Sequence, residues 1–194
     1  LGICVVSTHA PEEEELLNAL ALIQGTIFLA PRHPERFDSV AKLLEAQQIS
    51  YCRWTSRPSG FQGKRVVLID VIGELPSVYA LSDIAIVAGS FSSKIGGHNV
   101  LEPCLYGIPV LFGPHMQNQK ELAAKVLQAG AGKQVSAANL SLELSLFSEA
   151  PDSMKNGAFA LSCQTDGSLE KTWRVVFHLL ESEKNQKTKS KGLG

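Results

Sequence analysis

Four of the chain's five histidines fall in short polar turns, each directly after an apolar run. Ser7-Thr8-His9 follows Ile3–Val6, and Pro31-Arg32-His33-Pro34 follows Thr26–Ala30. A longer turn, Gly89–Asn99, follows Ile84–Ala88 and carries His98, and Gly113-Pro114-His115 follows Pro109–Phe112. A guanidinium such as Arg32 suits a phosphate or carboxylate, with a surface pair to Glu35 as its plainer use. In the long turn, glycines such as Gly97 let a ligand approach the backbone. Ser90, Ser92 and Ser93 add hydroxyls, Lys94 adds a point charge, and the following helix offers N–H groups to an anion. The pattern is neither G-x-G-x-x-G nor a P-loop. Glu102, in the first turn of that helix, can accept two hydroxyl protons, as a ribose diol supplies, or simply balance the helix dipole. His33 reads as a phosphate donor or a helix cap, and His98 as a ligand donor or a brace for the loop. His9 and His115 read as structural hydrogen-bonding groups.

These turns can cooperate only if one architecture brings them to one edge. Short apolar runs alternate with helical patterns along most of the chain, which predicts a parallel sheet covered on both faces: a doubly wound, Rossmann-like α/β domain. Expected strands are Ile3–Val6, Thr26–Ala30, Tyr51–Trp54, Val66–Ile69, Ile84–Ala88, Pro109–Phe112 and Gly132–Val135. Expected helices are Pro11–Ile23, Glu35–Gln47, Leu75–Leu81, Asn99–Tyr106 and Lys120–Gln128, with helical pattern from Ala138 onwards. The run Glu12–Glu15 reads as a solvated helix face. Leu169, Trp173, Val176, Phe177 and Leu180 form an apolar stripe on a last helix. The domain is expected to span residues 1–183, followed by a polar, disordered tail over 184–194 in which Lys184, Lys187, Lys189 and Lys191 fall. Such sheets bind ligands at the carboxyl ends of their strands.

Composition excludes several classes. Hydrophobic residues make up 44%, which argues against disorder. The net charge of -1 offers no basic field for nucleic acid. No apolar run approaches the roughly 20 residues that span a bilayer, so this piece reads as soluble. Cys4, Cys52, Cys104 and Cys163 are too scattered for a zinc site or a disulfide framework.

At these same turns the sequence resembles the 3-deoxy-D-manno-octulosonic acid (Kdo) transferases of lipopolysaccharide synthesis. The matching stretches are Ser7–Glu14, Ala30–Phe37, Gly73–Pro76, Ile95–Pro103 and Val110–His115, in that order, over roughly the first two-thirds of the chain. The resemblance implies the C-terminal, CMP-Kdo-binding half of a GT-B glycosyltransferase. It implies that Pro31 and Arg32 belong to the CMP site, that the backbone at Ile72, Gly73 and Glu74 reads cytosine, and that Asn99, Val100, Leu101 and Glu102 clamp phosphate and ribose. The N-terminal domain, which in the family holds lipid A precursor, the membrane anchor and the catalytic carboxylate base, is expected to be absent from this chain. The base is therefore not named. The parent protein is expected at the cytoplasmic face of the bacterial inner membrane. Ile72 and Val100 depart from the Met and Pro often found there in the family.

The implied reaction is inverting transfer of Kdo from CMP-Kdo, with Arg32 and the N–H groups near Gly97–Asn99 stabilising charge on the departing CMP. No cofactor is expected, and the absence of a D-x-D cluster at the donor loop implies no metal requirement. The alternatives are a UDP-sugar transferase or epimerase domain on the same fold, and a non-catalytic nucleotide-binding module.

Overall fold

The computed structural model describes residues 1–56 and 60–164. The expected apolar stripe over 169–180 and the tail over 184–194 lie outside the described residues, as do residues 57–59.

Seven strands form one sheet: β1 (Gly2–Thr8), β2 (Thr26–Pro31), β3 (Tyr51–Arg53), β4 (Val66–Leu68), β5 (Ile84–Val87), β6 (Val110–Phe112) and β7 (Gly132–Gln134). All neighbouring pairs run parallel, in the order β3-β4-β2-β1-β5-β6-β7. Every expected strand is present within two residues at each end. The helices flanking the sheet include α1 (Glu12–Ala19), α2 (Phe37–Ala46), α3 (Leu75–Ala80), α4 (Leu101–Leu105), α5 (Lys120–Gln128) and α6 (Leu140–Glu149). Residues 152–164 are also helical.

The inner strands β1, β2, β4, β5 and β6 are buried on both sides, so their alternate residues serve two separate cores. On one face Cys4, Val6, Phe28, Val67, Ala85, Val87 and Phe112 pack with Val78 and Tyr79 of α3, Cys104 of α4 and Val126 of α5. On the other, Ile3, Val5, Ile27, Leu29, Leu68, Ile84 and Ile86 pack with Leu16 and Leu17 of α1, Val40 and Leu44 of α2, and Leu144 and Phe147 of α6.

Three helices are shorter than their periodicity suggests. The first stops at Ala19 because Leu20 N–H is shared between the carbonyls of Leu16 and Leu17, which tightens the chain into a turn. The second begins as a 3-10 turn, Pro34–Arg36, before α2. The fourth is only Leu101–Leu105, because Asn99 caps it from outside: its Oδ1 accepts the N–H groups of Leu101 and Glu102 at 3.0 and 3.3 Å.

The chain winds from β1 to β2 in one direction and reaches β5 on the other side of β1. The strand order therefore reverses between β1 and β5, where the loops after the two strands part and leave a crevice.

Candidate functional site: the carboxyl edge of the sheet

A cavity of about 110 Å³ lies at this edge, lined among others by Ser7, Pro31, Arg32, Ile69, Ile72 and Gly73. Pro31 ends β2, and Arg32 N–H donates to the Thr8 carbonyl at 3.0 Å, which fixes the turn against β1. The Arg32 side chain is exposed, and no ion pair joins it to Glu35; the partner near Glu35 is His33, at 4.0 Å. Ile72 is 78% exposed at the rim, and Gly73 has a φ of +92° with open space where a Cβ would stand. That conformation favours glycine and leaves the backbone of the segment accessible. Glu74, half-buried, begins the turn into α3.

Glu102 is half-buried near the same edge. Burial raises its carboxyl above the usual range, and Arg32 draws it partly back. The structure thus brings Arg32 and Glu102 within each other's field. Val100 is fully buried in the core, so its side chain is not presented to a ligand, and Leu101 is half-buried against that core. The N–H groups of Leu101 and Glu102 are engaged by Asn99, so α4 does not offer them to an anion.

The glycine-rich loop is built differently from expectation. Glu12 and Glu13 are each 1% exposed, whereas Glu14 and Glu15 face solvent, so the acidic run is not one solvated face. Glu12 reaches across the crevice and accepts the N–H groups of Gly89 at 2.8 Å and of Phe91 and Ser92 at 3.1 Å each. A side-chain carboxylate therefore occupies the nest of backbone donors that an external anion would use. Burial pushes the Glu12 carboxyl above its ordinary range, against the pull of those three donors. Glu13 pairs with Arg36 at 3.2 Å and accepts from the Thr8 hydroxyl at 3.3 Å.

The Ser90 hydroxyl is also committed. It is buried, donates to the Val87 carbonyl at 2.6 Å and accepts from Gly113 N–H at 2.7 Å. Gly97 N–H donates to the Gly89 carbonyl, closing the loop on itself rather than facing a phosphate. Lys94 remains exposed. Asn118 and Gln117, after β6, hold the carbonyls of Ile95 and Ser93 at 2.8 Å. Sequence reasoning missed this brace. Its one available sign was that Glu12 and Glu13 lie inside a stretch shared with the transferases.

His9 and His98 meet across the crevice, Nε2 to Nε2 at 2.7 Å, with rings stacked at 14°. His33 stands edge-on to His9 at 5.3 Å and makes no capping bond to the turn that follows it. Among the described residues no group of three or more His, Cys, Asp or Glu is arranged to hold a metal ion.

A larger cavity, about 550 Å³, opens at the opposite edge beside Leu17, Ile27, Ser50 and Arg65. It contains none of the expected site residues, and the Arg65 guanidinium is spent on the carbonyls of Leu20 and Gly25. Pro31, Arg32, Ile72 and Gly73 line the smaller cavity instead.

Gly113 makes the close approach of the β5 and β6 loops possible: a Cβ there would stand 2.2 Å from the Ser90 carbonyl oxygen. Gly113→Ala is expected to cost about 1–3 kcal/mol through backbone displacement. Thermal unfolding checks this, and an unchanged midpoint would show that the two loops are not in tight contact.

No protein-family model matches the chain. It is 38% identical over 154 residues to a 3-deoxy-D-manno-octulosonic acid transferase of Bordetella pertussis, covering 74% of this chain and 36% of that protein. Among solved structures it matches the C-terminal CMP-Kdo binding domain of WaaA from Acinetobacter baumannii. Identity there is 31% and the TM-score 0.73, over 82% of this chain and 87% of the other. The fold alone is shared with Alr3699/HepE of Anabaena, at 14% identity and a TM-score of 0.58. Sheet order, crevice and these likenesses define the Rossmann-like C-terminal half of a GT-B glycosyltransferase. Within that class, the chain belongs to the 3-deoxy-D-manno-octulosonic acid transferase family. The matched region spans 24 to 43% of the length of three curated 3-deoxy-D-manno-octulosonic acid transferases, from Chlamydophila psittaci, Bordetella pertussis and Haemophilus influenzae.

Proposed function

We propose that this chain binds CMP-Kdo and presents it for inverting transfer of Kdo to lipid A precursor in lipopolysaccharide synthesis. The acceptor and the catalytic base belong, on this reading, to the remaining length of a Kdo transferase at the cytoplasmic face of the inner membrane. Among the described residues no helix is long and apolar enough to cross a membrane, so membrane attachment is also assigned to the rest of the protein. The observation that carries the reading is the convergence of Pro31, Arg32, Ile72 and Gly73 on one cavity, with Glu102 in the field of Arg32, in a homologue of a CMP-Kdo binding domain.

Each group has a distinct task. The exposed backbone at Ile72–Glu74 can read the edge of cytosine, with Ile72 giving the base an apolar contact. Glu102 accepts from the ribose hydroxyls. When the bond between the anomeric carbon and the phosphate oxygen breaks, its electron pair goes to CMP. Arg32 stabilises that growing charge more in the transition state than before it. The acceptor hydroxyl forms the new bond and gives its proton to the base. Because Glu12 and Asn99 already fill the backbone donors around the loop, the departing phosphate depends on side chains more than on a glycine cradle. Binding is proposed to need no divalent ion.

Calorimetric titration with CMP, UMP and UDP, with and without EDTA, tests this. CMP is expected to bind preferentially, with affinity unchanged by EDTA. Preference for UDP would move the chain to the UDP-sugar transferases, and loss of CMP binding in EDTA would overturn metal independence.

A further inference from the structure

We infer that His9 and His98, with Arg32, form a proton-linked anion site at the crevice between β1 and β5. The ligand group is a phosphate or carboxylate of the bound donor. The inference rests on the donor-binding reading for the identity of the ligand, but not for the existence of the site.

The two imidazoles come from different loops and meet where the strand order reverses. That is where ligands enter an open parallel sheet. Two ring nitrogens 2.7 Å apart must share one proton, one donating and the other accepting. The contact therefore survives with the pair neutral or carrying a single extra proton. A second proton would set two N–H groups against each other.

The surroundings disfavour an extra proton on either ring. Arg32, His33 and Arg36, on the segment after β2, all disfavour a proton on His9, and only Glu13 of α1 favours one. On His98 the opposing groups are His9, Arg32 and His33. Burial is the first cause for both rings, lowering His9 and bringing His98 to about 4. The other nearby carboxylates are engaged or turned to other partners. Glu12 is bound to three N–H groups, Glu35 sits by His33 at 4.0 Å, and Glu102 lies in the field of Arg32. His115 is the titratable group on the loop after β6. The crevice thus presents an exposed guanidinium and two half-buried imidazoles with too little negative charge to protonate them.

An arriving phosphate or carboxylate supplies the missing charge. It binds Arg32 and draws a proton from solvent onto the pair, so that the site gains a cation only when the ligand is present. Placed beside the bond that breaks, such a pair stabilises the departing charge without holding a permanent, unpaired cation in the empty protein. A purely structural histidine contact would brace the loops equally well, but would not take up a proton on binding.

The test is an NMR titration of the His9 and His98 imidazoles, free and saturated with cytidine, CMP, CMP plus Kdo, or inorganic phosphate. A rise of about one pH unit or more in the pKa of either ring with CMP, and none with cytidine, is expected if phosphate is the occupant. A rise that appears only when Kdo joins CMP assigns the pair to the sugar carboxylate. His98→Gln, which keeps a polar atom near the Nε2 position but cannot be protonated, should lessen the gain in CMP affinity on acidification between the bound and free pKa values of the pair, while leaving the Glu102-linked dependence in place. Unchanged imidazole pKa values under every anion overturn the inference, as does the same pH dependence in parent and His98→Gln. Failure of CMP to bind while inorganic phosphate still shifts the rings would retire the donor reading and leave the anion site standing.

Discussion

Glu12→Ala is expected to destabilise the chain by about 3–5 kcal/mol, because it strands three backbone donors in a water-poor crevice. The N–H of Gly89 and those of Phe91 and Ser92 have their acceptors on the two Glu12 oxygens. Alanine offers none, and at 1% exposure little water can replace the carboxylate. The loss corresponds to a melting temperature lower by roughly 10 °C for a domain of this size. Glu12→Gln should cost less, since its carbonyl oxygen can still serve Phe91 and Ser92 while its amide meets the Gly89 donor unfavourably. The pH dependence carries a second signature. Burial raises the folded pKa of Glu12 above its unfolded value, so ionising it in place costs stability. Its contribution is full below the unfolded pKa and is lost as pH rises through the folded one; Glu12→Gln should lack that decline. Thermal unfolding of both variants across the carboxylate range measures these effects, and an alanine variant as stable as the parent would refute the brace.

The strands were legible because each combines a short apolar run with a polar turn, and a sheet covered on both faces needs no alternation to betray it. Their carboxyl-end turns placed Arg32, His33, His98 and Glu102 at one edge for the same reason. The roles within that edge were less legible. Four consecutive glutamates carry no periodicity, so nothing local distinguishes Glu12 and Glu13, which turn inward, from Glu14 and Glu15, which do not. What separates them is their non-local partners: Gly89, Phe91 and Ser92, 77 or more residues from Glu12, and Arg36, 23 residues from Glu13. Ser90 shows the same limit. A serine after a strand suggests a ligand hydroxyl, but this one bridges the ends of β5 and β6. Asn99 reads as a ligand clamp from its motif and acts here as the cap that shortens α4.

On the donor-binding reading, Arg32→Ala and Glu102→Ala should each weaken CMP binding by about 1–3 kcal/mol, the size of a lost hydrogen bond to a charged group. Their effects should not add. Arg32 meets the phosphate and also holds down the pKa of Glu102, whose burial raises it. A carboxylate that must accept two hydroxyl protons works only when ionised, so CMP affinity should fall as pH drops through the Glu102 pKa. Removing Arg32 lifts that pKa further, and the fall should begin at a higher pH in Arg32→Ala. In Glu102→Ala this carboxylate-linked fall should vanish. The sugar separates the two contributions. If Glu102 reads the ribose diol, the parent should prefer CMP over 2′-deoxy-CMP, and Glu102→Ala should bind the two alike, whereas Arg32→Ala should keep the preference. Calorimetry on folded variants decides it. Unchanged affinity in both would sink the site assignment, and a ribose preference surviving in Glu102→Ala would move the diol contact elsewhere on the carboxyl edge.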